Sequence, residues 1–181
     1  MPTAIVRYLS NSGFVITADG KTPLNETTQK IFEIKGTPAA YALYGTIGFG
    51  DGRPESEGPC PLHLGDEIEK LLKSGKVPIG DLVLCGEKLA EELHAIIVKA
   101  KAENRIVYPA TGPSDPNGML IAKIFLFGYS SGAPIEVYIT FQHRQHILND
   151  PKVIGFDPRR SNPCCWGSQD VCCLLYTSRC V

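Results

Sequence analysis

Short apolar segments separated by turn residues run through the first part of the chain and predict paired strands. Ala4–Leu9 and Phe14–Ala18 flank the turn-forming tripeptide Asn11-Ser12-Gly13, which predicts a β-hairpin. A second strand pair is predicted at Ile31–Ile34 and Ala39–Tyr44, joined by a short turn that contains glycine and proline.

Two amphipathic helices are predicted next, between polar loops at residues 48–61 and 103–117. Each helix is predicted from apolar residues that recur every three or four positions and therefore lie on one face. The first face comprises Leu64, Ile68, Leu71 and Leu72, and Gly75 is expected to end that helix. The second face comprises Leu89, Leu93, Ile96, Ile97 and Ala100.

Strand pairing resumes after the helices. Met119–Phe127 and Ile135–Phe141 predict a long hairpin, and residues 153–155 predict a further short strand. The resulting order ββ, ββ, αα, ββ is typical of an α+β fold with antiparallel sheets. Because several strands are apolar on both faces, we expect a sheet that is covered on two sides.

Composition and charge narrow the possible functions. The 181 residues include 18 Lys and Arg against 19 Asp and Glu, a net charge of −1 that argues against a nucleic-acid partner. No apolar run approaches the roughly 20 residues that span a bilayer, which argues against a membrane partner. The chain start shows no basic, apolar leader. We therefore expect a cytoplasmic protein with one globular domain.

The end of the chain has a different character, because most of the cysteines cluster there. The stretch CLLYTSRCV at residues 173–181 can be encoded by an inverted repeat whose second half reads Arg-Cys-Val and then a stop, and it resembles a translated sequencing adapter. We therefore predict a domain over residues 1–160 and a non-native tail over 161–181. A disordered Cys-rich tail remains open, whereas a metal knuckle is disfavoured because the ligand spacing is wrong. The clustered cysteines are Cys164, Cys165, Cys172, Cys173 and Cys180.

Four segments, in order, resemble the proteasome-subunit-like branch of the N-terminal-nucleophile (Ntn) hydrolases. They are Thr3–Gly20, Gln29–Ile34, Ala42–Asp51 and Ala122–Phe141. The resemblance implies a four-layer αββα sandwich of two antiparallel sheets, assembled as a homo-oligomeric ring or dimer. The two helices that follow the last hairpin in the family have no counterpart here, so the implied domain is incomplete at its C-terminal end.

The same resemblance implies roles for four residues. Thr3 matches the nucleophile, whose own α-amino group is the base because its pKa of ~8 leaves a neutral fraction at pH 7. Lys30 matches the lysine beside that amine, and Asp19 matches the aspartate that positions the lysine. Gly45 lies near the position whose backbone N–H donates to the oxyanion. This chemistry needs no metal and no cofactor.

Each of these residues also has an ordinary structural interpretation. Asp19 is a common turn residue, Lys30 fits a surface lysine, Gly45 fits a strand end and Thr3 fits the start of a strand. His143-Arg144-Gln145-His146 has the spacing of a metal motif, but it lacks a carboxylate partner.

The expected function is a threonine-type amide hydrolase, a peptidase acting on a peptide or amide substrate. It requires a free Thr3 amine, and Met1-Pro2 precede Thr3 in the sequence. Two alternatives are a non-catalytic structural or binding subunit with the Ntn fold, and an unrelated small module that shares only the hairpins.

Overall fold

The computed structural model describes residues 5–10, 13–18, 29–50, 61–108, 114–115, 118–130, 132–157 and 165–166. Its helices are α1 (Leu64–Lys73) and α2 (Leu82–Ala102). Its strands are β1 (Ile5–Ser10), β2 (Gly13–Ala18), β3 (Ile31–Ile34), β4 (Ala39–Gly45), β5 (Gly48–Phe49), β6 (Leu62–His63), β7 (Ser114–Asp115), β8 (Gly118–Ser130), β9 (Ala133–Arg144), β10 (Ile147–Leu148), β11 (Lys152–Phe156) and β12 (Cys165–Trp166).

A large antiparallel sheet organises the described residues. Its strand order is β10-β9-β8-β4-β3, with β11 also paired to β9 and β7 to β8. The hairpin of β8 and β9 is its longest element, and Leu126 lies opposite Val137 in its register. The chain is therefore a mixed α+β protein built mostly on antiparallel sheet, as the order of predicted elements indicated.

Successive residues of the central strands are buried on opposite faces of this sheet. On β8, Ile124 and Leu126 belong to the core beneath the helices, whereas Phe125 and Phe127 belong to a second apolar cluster. This follows from the two-residue period of a strand, which sends neighbouring side chains to opposite sides. The expectation that the sheet is covered on both sides is confirmed for these strands.

The two helices cover the first face. The apolar side chains of α2 recur every three or four residues and include Leu82, Cys85, Leu89 and Leu93, all buried. The helix begins at Leu82, earlier than the apolar face that starts at Leu89, because the Asp81 carboxylate accepts hydrogen bonds from the N–H groups of Val83 and Leu84 at 2.9 and 3.2 Å. The end of α1 agrees with the prediction, and Gly75 adopts φ of +72° after it.

The hairpin of β1 and β2 covers the second face, and it forms where the sequence predicted it. Ile5 pairs with Ala18 and Ser10 with Gly13. Ile5 is buried, and the half-buried Phe14 and Ile16 pack in the same apolar cluster as Phe125 and Phe127 of the large sheet. Helices, large sheet and hairpin therefore form three successive layers.

Short strands form where the sequence predicted a loop or a non-native tail. Gly48-Phe49 was expected in a loop but forms β5, because Phe49 is buried in the core and pairs with Leu62. Cys165 and Trp166, inside the predicted non-native tail, pair with Val6 and Ile5 of β1. The domain boundary at residue 160 stays a prediction.

Neither α1 nor α2 combines the length and the apolar character that a bilayer-spanning segment requires.

We predict that Gly86→Ala destabilises the protein. A Cβ at Gly86 would lie 2.6 Å from Cγ1 of Val137, a stiff, fully buried side chain of β9. Alanine normally stabilises a helix interior by up to about 1 kcal/mol relative to glycine, so an observed loss of about 1–3 kcal/mol would reflect overpacking. Urea denaturation measures it. The control Gly80→Ala adds a methyl group to open space, and equal effects of the two variants would contradict the prediction.

We also predict an alkaline loss of stability that depends on Cys85. Burial, and secondarily the charge of Asp81, raises the pKa of the Cys85 thiol from 9.0 to about 11. Between these values the unfolded chain releases a proton that the folded chain retains, so the free energy of unfolding falls as pH rises, by up to ~3 kcal/mol. Urea denaturation from pH 8 to 11 should show this fall in the parent protein and a shallower one in Cys85→Ala. Parallel profiles would refute the prediction.

Candidate functional site

Two of the four predicted site residues lie within the described part of the chain. Lys30 and Gly45 are described, whereas Thr3 and Asp19 lie outside the described residues. The nearest described neighbours of the latter two are Ile5 and Ala18, which pair with each other at one end of the hairpin.

Lys30 lies directly before β3 and is joined to β4. Its carbonyl oxygen accepts a hydrogen bond from the N–H of Leu43 at 3.0 Å. Its side chain is only 6% exposed. Lysine is rarely buried to this extent without a specific role for its charge or a paired group. The interpretation of Lys30 as a surface lysine is therefore wrong.

Gly45 ends β4 in a conformation that favours glycine. Its φ is +91°, and a Cβ there would lie 2.6 Å from the carbonyl oxygen of Ile121. The same oxygen accepts a hydrogen bond from the N–H of Thr46 at 2.8 Å, which holds the chain against β8 directly after Gly45. This packing requires glycine independently of catalysis, and the oxyanion role of Gly45 stays a prediction.

Lys30 and Gly45 lie at the same end of the β3–β4 pair. Lys30 is opposite Leu43, and Gly45 follows two residues later, roughly 7 Å along the strand. One end of the β1–β2 hairpin packs against the same part of the sheet. Its Ile5 and Ala18 share one apolar cluster with Ile31, Ala42 and Tyr44, the neighbours of the two site residues.

His63 is a titratable residue near this end that sequence reasoning missed. It lies on β6 opposite Gly48, and the next residue, Leu64, donates its N–H to Ile47 at 2.8 Å. The imidazole is about one-third exposed, and its Nδ1 lies 3.6 Å from a carboxylate oxygen of Asp66. The only sequence signal for His63 is its position directly before the predicted helix, because its pairing with Gly48 joins residues that are distant in sequence.

A separate cleft lies between β3 and α1. It encloses about 500 Å³ and is lined by Gln29, Phe32, Glu33, Ile34, Lys35, Tyr41, Glu69, Leu72, Lys73 and Ile79. The rings of Phe32 and Tyr41 stack in it, with centroids 4.9 Å apart and planes 13° apart. No local sequence pattern signalled this cleft, because its walls come from two regions that are distant in sequence, residues 29–41 and 69–79.

The charges of the cleft are arranged at its margin. Lys73 donates to Glu69 at 2.7 Å, and this hydrogen bond holds the pKa of the Glu69 carboxyl below its usual range. Burial raises the pKa of Tyr41 well above its usual value, and the charges of Glu69 and Asp66 add to the effect. The cleft therefore presents a neutral phenol and apolar side chains between partly compensated charges.

The described residues show no assembled metal centre. Within them, no three His, Cys, Asp or Glu side chains are grouped to hold an ion. The rings of His143 and His146 stack on each other at 5.6 Å, and His143 also packs against Tyr108 at 5.3 Å.

No protein-family model matches this chain, and no curated protein sequence matches it either. The resemblance to the Ntn hydrolases therefore rests on the residues of this chain alone.

We predict that Gly45→Ala costs more stability than a glycine replacement that only strains the backbone. Gly36 has a similar φ of +79° but faces open space, so Gly36→Ala should cost about 1–2 kcal/mol. Gly45→Ala adds the clash with Ile121 and should cost about 1–3 kcal/mol more. Chemical denaturation of both variants measures the difference. Equal losses would show that the close approach to β8 does not constrain residue 45.

Proposed function

We propose that the chain is a threonine-type amide hydrolase, a peptidase of the proteasome-like Ntn superfamily, with Thr3 as nucleophile. The observation that carries the proposal is the burial of Lys30, the residue matched to the family's lysine, at the sheet end that also holds Gly45. The end of the β1–β2 hairpin leads in sequence to Thr3 and Asp19. Its described residues pack in the apolar cluster beside Lys30 and Gly45.

The proposed reaction has two steps. The Thr3 hydroxyl attacks the carbonyl carbon of a peptide bond and passes its proton to the Thr3 amine, which then protonates the leaving amine. Water next attacks the Thr3 ester, releasing the carboxylic acid and restoring the hydroxyl. The charge of Lys30, positioned by Asp19, favours the neutral amine and the developing alkoxide. The N–H of Gly45 donates to the oxyanion.

The architecture proposed with this function is the four-layer αββα sandwich, assembled as a cytoplasmic homo-oligomeric ring or dimer. The succession of helices, large sheet and hairpin supports three of its layers. The fourth layer and the assembly belong to the proposal.

A second candidate is a non-catalytic binding or structural subunit with the same fold. Met1-Pro2 favours it, because the Thr3 amine stays in a peptide bond until these two residues are removed. Mass spectrometry of the mature N-terminus distinguishes the candidates, since only a chain that begins at Thr3 can use its own amine as the base.

We predict that a chain processed to begin at Thr3 hydrolyses short N-acylated peptides that carry a fluorogenic C-terminal amide. Thr3→Ala should abolish the release of fluorophore. Lys30→Met, which keeps most of the length of the side chain without its charge, should lower kcat by about 100-fold or more. Circular dichroism would show that both variants are folded.

Lys35→Ala is the matched control, because Lys35 is an exposed lysine that follows β3 in the turn. It should retain the parent kcat. Equal rates for the Lys30 and Lys35 variants would refute the role of Lys30. A folded chain that begins at Thr3 and hydrolyses none of these substrates would favour the non-catalytic subunit.

A further inference from the structure

The outer side of β3 is an open strand edge in the described part of the chain, where no strand lies beyond it. The hydrogen bond from Leu43 to the Lys30 carbonyl fixes which residues face β4. Because antiparallel strands alternate between bonded and non-bonded positions, Phe32 and Ile34 also face β4. Ile31 and Glu33 consequently direct their N–H and C=O groups outward.

One of these outward groups already accepts an amide donor. The side-chain amide of Gln29 donates to the carbonyl oxygen of Ile31 at 2.8 Å. It thus occupies the position where the backbone N–H of an added strand would donate. This exposed side-chain bond can be exchanged for a backbone bond of the same kind, so the edge is suited to an extended chain.

The cleft described above lies along the same strand. Phe32 and Ile34 line it from β3, and Leu72 and Ile79 line it from α1 and the segment after it. A strand paired with β3 would direct every second side chain toward this helix-facing side of the sheet. The volume of about 500 Å³ exceeds what one large apolar side chain needs.

The charges around the cleft favour an apolar occupant over a charged one. Glu69 is held by Lys73 at 2.7 Å and also interacts electrostatically with Lys35, so charges of both signs lie together at the margin. A charged side chain would meet both signs and would lose its hydration without a dedicated partner.

We propose that β3 and this cleft bind an extended peptide segment of a partner protein by strand addition. The peptide forms backbone hydrogen bonds with Ile31 and Glu33, displaces the Gln29 amide and places an apolar side chain against Phe32 and Leu72. This mode uses backbone bonds for affinity and the pocket for selectivity. It does not depend on the chemistry proposed for Thr3.

The test uses the full chain and a fluorescein-labelled peptide of alternating sequence, Thr-Leu-Thr-Leu-Thr-Leu-Thr. Hydrogen exchange followed by NMR should show that the peptide slows exchange of the Ile31 and Glu33 amides by about tenfold or more. The Phe32 and Ile34 amides, already bonded to β4, should change little. Absence of binding, or protection elsewhere, overturns the proposal.

Variants separate the backbone contribution from that of the pocket. Glu33→Pro removes one outward N–H while leaving the bonds to β4, and should weaken peptide binding about tenfold relative to Glu33→Ala, which keeps that N–H. Leu72→Asp should weaken binding to a similar extent. The control Ile154→Asp changes an exposed residue of β11, another outer strand, and should bind normally.

Two further results would overturn the proposal. The first is equal affinity for a peptide in which every backbone amide is N-methylated, because such a peptide cannot donate to the edge. The second is a dimer in solution that Glu33→Pro dissociates and that excludes the peptide, since the occupant of the edge would then be a second copy of this chain.

Discussion

Burial on both faces of β8 is the constraint on which the other layers depend. Leu126 packs in the core beneath the helices, while Phe125 and Phe127 pack in the cluster beneath the hairpin. A shift of one residue in the pairing with β9 would exchange these two sets. The two faces differ in their partners, one meeting long helices and the other a short hairpin, so the register is defined from both sides.

The position of the candidate site follows from that layering. β4 pairs with β8 along its whole length and ends where Gly45 approaches the backbone of Ile121. β3 pairs only with β4 among the described strands, so Lys30 is brought to the end that Gly45 defines. The site therefore depends on glycine for its backbone geometry and on the apolar cluster of Ile5 and Ala18 for its cover.

Local signals account for the parts of the fold that the sequence predicts well. The β1–β2 hairpin, the stop of α1 at Gly75 and the long β8–β9 hairpin are each encoded by neighbouring residues. The start of α2 was missed because Gly86, a poor helix former, interrupts the apolar pattern, and glycine is required there by the close approach of Val137.

Long-range packing accounts for what the sequence did not reveal. The pairing of Phe49 with Leu62, the burial of Lys30 and the cleft between β3 and α1 all depend on residues distant in sequence. Thr3, Asp19, Lys30 and Gly45 could be selected only through the family resemblance, because each residue type is common in its local setting. The structure adds direct observations for two of them, the burial of Lys30 and the positive φ and close packing of Gly45.

The two sides of β3 make the two proposals physically separable. Lys30 and Phe32 use their backbone groups on β4, whereas Ile31 and Glu33 direct theirs away from it. A strand can therefore add to the outer edge without breaking the backbone hydrogen bond from Leu43 that joins Lys30 to β4. Loss of peptide binding in an edge variant would leave the burial of Lys30 intact, and loss of the Lys30 charge would leave the edge able to pair.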